Sequence, residues 1–148
     1  AYDTAPVDYT EQPRFINLVV RARTGRPPHE VLAEIKRIER ELGRRPDDVP
    51  RFGPRPIDVD LLLYDDIVQR DPPDDASGEP CLIVPHPRLH ERAFVLVPLA
   101  DIDPGLVHPE LGATVADLLA RVDAGGVVPL DEVLDRSRIV PYTRTRGR

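Results

Sequence analysis

Residues 51–64 of the chain read Arg-Phe-Gly-Pro-Arg-Pro-Ile-Asp-Val-Asp-Leu-Leu-Leu-Tyr. The second half of this stretch is rich in β-branched and apolar residues, which predicts a strand. Asp58 and Asp60 lie two positions apart, so a strand directs both carboxylates to the same face. Paired carboxylates suit Mg²⁺, which takes one or two of them together with phosphate oxygens. With Arg51 and Arg55 on the loop just before them, the stretch predicts a phosphotransfer site, although most Asp-x-Asp pairs are structural or solvated.

Residues 84–94 form a second motif, Val-Pro-His-Pro-Arg-Leu-His-Glu-Arg-Ala-Phe. The spacing of His86 and His90 could suit zinc, but the glutamate of a His-Glu-x-x-His motif is missing and no cysteine cluster accompanies them. We interpret His86 and Arg92 as donors to a phosphate or a nucleotide. For His90, a histidine satisfied in a surface turn is the alternative.

Strand and helix signals alternate along the chain. Strands are predicted over residues 15–22, 57–64 and 82–84, where β-branched and apolar residues cluster. A helix is predicted to begin just after Pro27 and to end at Gly43, which suits a left-handed cap. The apolar residues of this helix recur at helical spacing, namely Val31, Leu32, Ile35, Ile38 and Leu42.

The remaining segments are predicted to be loops and short helices. Residues 44–56 are rich in proline, glycine and arginine and are predicted to form a mobile loop, and residues 70–80 form a polar surface loop. Short helices are predicted within residues 86–99 and over residues 114–122. The basic tail, residues 141–148, is predicted to be flexible. This order of elements predicts an α+β or α/β sandwich with helices on a sheet.

Composition and charge limit the classes of function. The 148 residues leave room for one domain, and no apolar run is long enough to span a membrane. Cys81 is the only cysteine in the sequence, which favours a reducing, cytoplasmic compartment. The net charge of −6 argues against a nucleic-acid coat. Residues 36–55 carry seven basic and four acidic side chains, and residues 58–79 carry one basic and eight acidic. This contrast fits a polyphosphate bound with a divalent metal, and ordinary solvated surface is the alternative.

Residues 51–64 followed by residues 84–99 resemble the 6-hydroxymethyl-7,8-dihydropterin pyrophosphokinase family, and residues 2–6 and 12–17 fit the same family in order. The resemblance implies a ferredoxin-like α+β fold in a single domain over residues 1–148. It implies transfer of the terminal pyrophosphoryl group of ATP to the hydroxymethyl oxygen of the reduced pterin, releasing AMP, in folate biosynthesis. We expect ATP, the pterin and two Mg²⁺ ions as ligands, no nucleic-acid or membrane partner, and a monomer.

The resemblance also assigns roles to single residues. Asp58 and Asp60 match the metal ligands, and Glu39 matches an acidic position near the nucleotide. The arginines of the catalytic loop and the phosphate-binding residues correspond to Arg44, Arg51, Arg55, His86 and Arg92. The pterin-binding residues correspond to Thr4, Ala5, Val7, Phe15, Asn17 and Phe94.

Elementary chemistry agrees with these assignments. A flat heteroaromatic ring favours an aromatic side chain on each face, as expected of Phe15 and Phe94. An amide such as Asn17 both donates and accepts, as the edge of a pterin requires. Without the resemblance, core packing is the simpler interpretation of the two phenylalanines. Phosphoryl transfer needs mainly positioning and charge stabilisation, so no strong side-chain base is assigned.

One departure from the family is large. Its chains begin with a strand carrying Gly-Ser-Asn and then a helix, which have no counterpart in this sequence. In a ferredoxin-like sheet that strand is central, so we expect the neighbouring strands to be left unpaired. Because the sequence has no methionine, we expect it to start inside a longer native chain. Position 36 is a lysine where the family often has an amide, so the resemblance does not define which residues contact the adenine.

Two other functions remain as alternatives. A non-catalytic nucleotide- or pterin-binding module would bind these ligands without forming AMP. A different Mg²⁺-dependent phosphotransferase would use the same aspartate pair but release ADP or pyrophosphate.

Overall fold

The computed structural model describes residues 1–4, 14–44, 57–72 and 80–130. Within these residues the chain combines helices with antiparallel sheets, which confirms the predicted α+β class. The strands are β1 (Tyr2–Thr4), β2 (Phe15–Asn17), β3 (Gln69–Arg70), β4 (Ile83–Val84) and β5 (Val127–Pro129). The helices are α1 (Pro28–Glu41), α2 (Ala93–Ile102) and α3 (Val115–Leu119), with a 3₁₀ turn at Leu89–Glu91. The ferredoxin-like detail of the fold is not established by these sheets and stays a prediction.

The larger sheet has the strand order β2-β1-β5, and both pairings are antiparallel. Its central strand is β1, where Tyr2 lies opposite Asn17 on one side and Pro129 on the other. Tyr2 and Thr4 are buried, while Asp3 between them is only partly so, as expected from the alternation of side chains along a strand. The smaller sheet is the antiparallel pair β3-β4.

Helix α1 begins and ends where the sequence predicts. Pro28 is its first residue, and Gly43 follows its end with a φ of +92°, a conformation that glycine adopts without a steric penalty. Its apolar stripe is covered only in part, since Leu32 is 8% exposed but Leu42 is 56% exposed.

Two hydrophobic clusters hold these elements together. The larger joins the 3₁₀ turn, α2 and α3, and its buried residues are Leu89, Val95, Leu96, Leu99, Val115 and Leu118. The smaller joins α1 to β4, and its buried residues are Leu32, Leu82 and Val84. Residues 57–64 run between the clusters, because Leu61 packs on the smaller one and Leu62 and Leu63 pack on the larger. This double anchorage fixes the backbone that follows the paired aspartates.

Several predicted elements are shorter than expected or absent. Only Phe15–Asn17 of the predicted strand 15–22 lies in a sheet, and residues 57–64 belong to no strand. Assignment to a strand requires a ladder of backbone hydrogen bonds to a neighbouring strand. Among the described residues no such ladder includes residues 18–22 or 57–64, although the His86 N–H donates to the Leu62 carbonyl oxygen. The helix predicted over residues 114–122 ends at Leu119, and β5 was not predicted.

Some predictions lie outside the described residues. They concern the loop 45–56, residues 73–79 of the polar loop, and the tail 141–148. Among the residues that are described, no helix has the length and apolar character needed to cross a bilayer.

Candidate functional site

A surface cleft lies where three segments meet: the end of β2, residues 58–62 and the first turn of α2. Its lining residues are Asn17, Leu18, Val19, Asp58, Asp60, Leu62, Phe94 and Val95. Two carboxylates, one amide and one aromatic ring therefore share a single cleft with apolar walls. Polar groups of this kind on an apolar floor are typical of small-molecule sites.

On one side of the cleft, Asp58 is paired with a cation from the end of α1. Arg44 Nη1 donates to Asp58 Oδ1 at 2.6 Å, and the same nitrogen contacts Glu39 Oε1. The Asp58 side chain is 49% exposed, so its carboxylate remains accessible from the cleft. Arg44 is therefore held between a buried carboxylate and an exposed one.

Glu39 is 1% exposed and lies on α1 beneath this pair. Its Oε2 accepts from Lys36 Nζ at 2.9 Å, and its Oε1 accepts from the backbone N–H of Val59 at 2.7 Å. Burial raises the pKa of Glu39, but the hydrogen bonds from Val59 and Lys36 and the charges of Lys36 and Arg44 outweigh it, so the pKa lies below its usual value. The carboxylate is therefore ionised at neutral pH.

On the other side of the cleft, two basic side chains face Asp60. Arg92 Nη1 lies 3.5 Å from Asp60 Oδ2, and His86 Nε2 lies 3.7 Å from the same oxygen. The Arg92 guanidinium carbon also lies 5.5 Å from the centroid of the Phe94 ring, within range of a cation–π interaction. The site therefore places positive groups on both sides of the aspartate pair.

His86 is positioned by two hydrogen bonds with backbone groups of other residues. Its N–H donates to the carbonyl oxygen of Leu62 at 2.8 Å, and its Nδ1 accepts from the backbone N–H of Arg88 at 3.2 Å. Burial lowers the pKa of His86, the charges of Arg92 and Arg88 lower it further, and Asp60 only partly offsets them. A neutral ring that accepts at Nδ1 carries its proton on Nε2, so His86 presents an N–H donor toward Asp60.

The amide of Asn17 is oriented by Thr4. Asn17 Nδ2 donates to Thr4 Oγ1 at 2.6 Å, and the Thr4 hydroxyl donates to the carbonyl oxygen of Phe15 at 3.4 Å. Thr4 is 2% exposed, so this chain of hydrogen bonds is shielded from water. Asn17 keeps its Oδ1 and a second N–H for a ligand.

The structure brings together most of the described residues that the sequence singled out. Asp58, Asp60, Asn17 and Phe94 line the cleft, and Thr4 contacts Asn17. The predicted phosphate-binding residues border the two aspartates, namely Arg44, His86 and Arg92. Glu39 lies beneath the cleft, and Phe15, which is 38% exposed, is not among the lining residues. The predicted site residues outside the described part of the chain are Ala5, Val7, Arg51 and Arg55.

Several residues of the site were not predicted from the sequence. Leu18, Val19 and Val95 form apolar walls, and no pattern in the sequence distinguishes these apolar residues from ordinary core residues. Lys36 was noted only as a departure, yet it donates to Glu39 three residues along α1, a spacing that places both on one face of the helix.

The described residues contain no group of three or more histidine, cysteine, aspartate or glutamate side chains suited to hold a metal ion. Within the described part of the chain, the acidic side chains that line the cleft are those of Asp58 and Asp60. His90, considered above for zinc, instead lies edge-on to His108, with ring centroids 6.3 Å apart.

Known proteins resemble this chain over much of its length. A family model described as 7,8-dihydro-6-hydroxymethylpterin-pyrophosphokinase matches residues 1–104. A protein of Aquifex aeolicus named 2-amino-4-hydroxy-6-hydroxymethyldihydropteridine pyrophosphokinase is 39% identical over 108 residues, covering 73% of this chain and 61% of that protein. A Bacillus subtilis protein of the same name is 44% identical over 101 residues, covering 68% of this chain and 54% of that protein.

A plant relative is much longer. The mitochondrial folate synthesis bifunctional protein of Arabidopsis thaliana is 50% identical over 101 residues, which cover 68% of this chain and 16% of the plant protein. The chain thus spans less than two thirds of the length of each of these three relatives. The family model nevertheless matches well over half of the chain, and the match includes both segments that carry the acidic and basic groups of the cleft. The chain therefore belongs to the 7,8-dihydro-6-hydroxymethylpterin-pyrophosphokinase family.

Proposed function

We propose that this chain transfers the pyrophosphoryl group of ATP to the hydroxymethyl oxygen of 6-hydroxymethyl-7,8-dihydropterin, giving the pterin diphosphate and AMP. Family membership and the names of the bacterial relatives support this reaction, and the plant relative's name supports a place in folate synthesis. One observation carries the proposal. The aspartate pair lines the same cleft as an oriented amide and an aromatic ring, so groups suited to phosphate and groups suited to a flat ring lie together.

The aspartate pair has the chemistry of a Mg²⁺ site. Asp58 and Asp60 are 49% and 41% exposed, so carboxylate oxygens are accessible on the cleft side. Mg²⁺ is bound through one or two carboxylates while it keeps waters and phosphate oxygens, which fits a site without a third acidic ligand among the described residues. We propose two ions here, with Asp58 and Asp60 as ligands. When bound, Mg²⁺ would neutralise the charge of the triphosphate.

The basic side chains around the pair would bind and polarise the phosphates. Arg44 carries permanent charge beside Asp58 and Arg92 beside Asp60, and His86 offers an N–H donor beside Asp60. Preorganised donors aimed at phosphate oxygens stabilise the charge that develops during transfer. Arg51 and Arg55, expected from the resemblance to act with them, complete the proposed set.

Asn17 and Phe94, which line the same cleft, would bind the pterin. Thr4 fixes the orientation of the Asn17 amide, whose free Oδ1 and N–H suit the alternating acceptors and donors of the ring edge. Phe94 would stack on one face of the ring. Phe15, Ala5 and Val7 remain the proposed residues for the second face and the pocket wall.

The aspartate pair can be tested against a matched surface aspartate. We expect Asp58→Asn and Asp60→Asn to reduce AMP formation by about a hundredfold or more, since each would replace a carboxylate ligand of the proposed Mg²⁺ ions with a neutral amide. Asp66→Asn, at an exposed turn outside the cleft, should retain the parent rate. Each variant is incubated with Mg²⁺, ATP and the pterin, and the AMP formed is quantified by chromatography. Parent-like rates in both cleft variants would refute the role given to the pair.

The wider biological setting belongs to the same proposal. We propose a monomer acting on small molecules in the cytoplasm, as expected from the composition, although the plant relative is named as mitochondrial.

A further inference from the structure

We propose that Glu39 is a positioning residue of the cleft: its buried carboxylate fixes both Arg44 and the backbone between Asp58 and Asp60. The inference rests on the proposed function, because it concerns the geometry of the same site. It differs from the nucleotide contact expected from the resemblance, since Glu39 would act through its neighbours without touching a ligand.

The Glu39 side chain is buried and its oxygens are already occupied. Glu39 is 1% exposed and is absent from the lining of the cleft. Both carboxylate oxygens already accept from protein donors: Oε2 from Lys36 Nζ, and Oε1 from Arg44 Nη1 and the Val59 N–H. A charged group enclosed in this way keeps its charge only with such partners. The carboxylate therefore serves the protein's own donors.

Glu39 also binds the backbone between the two aspartates. Val59 lies between the two aspartates, and its N–H points to Glu39 Oε1 at 2.7 Å. The side chains on either side of Val59 are about half exposed, at 49% for Asp58 and 41% for Asp60. Residues 57–60 belong to no strand, so no sheet partner fixes this backbone within the described residues. The hydrogen bond from Val59 replaces such a partner.

Arg44 is shared between Glu39 and Asp58. Its Nη1 contacts Glu39 and donates to Asp58 Oδ1 at 2.6 Å. The Glu39 charge balances this guanidinium from below, so Arg44 is not drawn wholly onto Asp58. A glutamine at position 39 would keep an acceptor oxygen but would turn an NH₂ group toward Lys36 or Arg44, where two donors oppose each other. Arg44 and the aspartate backbone would then both shift.

The kinetic test compares Glu39→Gln with Glu41→Gln on the same helix. Glu41 pairs with Arg37 on the outer face of α1 and is 45% exposed, so it controls for the loss of a helical carboxylate. We expect Glu39→Gln to lower kcat for AMP formation by about tenfold to a hundredfold, as misplacement of reacting groups does, with KM for ATP changed by less than about threefold. The Glu41 variant should match the parent. A rise in KM for ATP at unchanged kcat would overturn the proposal in favour of direct nucleotide contact.

A double-mutant cycle that combines Glu39→Gln with Arg44→Gln tests whether Glu39 acts on kcat through Arg44. If Glu39 acts through Arg44 and Val59, the loss of kcat in the double variant will be smaller than the product of the two single losses. Independent, multiplicative losses would contradict the coupling.

Amide hydrogen exchange gives a readout that needs no activity. We expect the Val59 N–H to exchange at least about tenfold faster in Glu39→Gln than in the parent, while the Leu96 N–H in helix α2, which donates to the Arg92 carbonyl, keeps its rate. An unchanged Val59 rate would refute the positioning role even in an active enzyme. If the glutamine variant does not fold, Glu39→Asp, which keeps the charge but shortens the side chain, provides the same comparison. A parent chain that forms no AMP would refute the proposed function and leave this exchange result to stand separately.

Discussion

Arg92 offers the sharpest separation between catalysis and stability. The substitution Arg92→Gln keeps a polar side chain but removes the charge that lies 3.5 Å from Asp60 Oδ2 and 5.5 Å from the centroid of the Phe94 ring. Both interactions are partly solvated, since Asp60 is 41% exposed. An ion pair of this kind contributes about 0–1 kcal/mol to the free energy of unfolding, and the cation–π contact about 0.5–1 kcal/mol.

The expected loss of catalysis is larger than this loss of stability. If Arg92 stabilises charge on the phosphate oxygens in the transition state, its removal should lower kcat by about 10²–10³, or roughly 3–4 kcal/mol. The loss of about 0.5–2 kcal/mol in stability should lower Tm by only about 1–8 °C in a domain of this size. The variant should therefore be folded but nearly inactive.

The assay combines AMP formation at saturating ATP and pterin with thermal unfolding of the same samples. Arg88→Gln is the matched control, because Arg88 is a neighbouring arginine that pairs with Glu91 at 3.4 Å and does not line the cleft. Its kcat should stay within about twofold of the parent. Equal losses of kcat in the two variants, or an Arg92 variant with parent-like turnover, would refute the transition-state role.

The remaining predictions concern the core and pH. Leu96→Ala, at a fully buried position of the larger cluster, should lower the free energy of unfolding in urea by about 2–5 kcal/mol, whereas Leu111→Ala, 49% exposed, should change it by no more than about 0.5 kcal/mol. Burial and the charge of His90 lower the pKa of His108 below the usual 6.5, so the unfolded state takes up the proton first and stability should fall as pH drops below that value. His108→Asn, which keeps an acceptor for the N–H groups of Glu110 and Leu111, should weaken this pH dependence of the unfolding free energy; an unchanged slope would contradict the assignment.

Local signals in the sequence were sufficient for the bounds of helix α1, while the role of the acidic pair stays a prediction. The helix depends on nearby residues, a proline at its start and a glycine past its end, so its bounds could be predicted closely. The spacing of Asp58 and Asp60 predicted a shared face on a strand; residues 57–64 belong to no strand among those described, yet both aspartates line the cleft. What they bind stays a proposal.

The strands and the buried charges could not be predicted in the same way. Residues 18–22 and 57–64 have the composition of strands, but pairing depends on distant neighbours that composition does not reveal. Val20, inside the first of these segments, is 73% exposed. The burial of Glu39 could not be predicted from the sequence either, because a charged residue on a helix is expected at the surface. The donors supplied by Lys36, Arg44 and the Val59 backbone explain why it lies inside.

The most direct test of the proposed function measures the nucleotide product. The 148-residue chain is mixed with Mg²⁺, ATP and 6-hydroxymethyl-7,8-dihydropterin, and AMP and ADP are quantified with and without the pterin. Pyrophosphoryl transfer predicts AMP that appears only with the pterin, in equal amount to the pterin diphosphate. ADP in place of AMP, or binding of both ligands without any AMP, would contradict it.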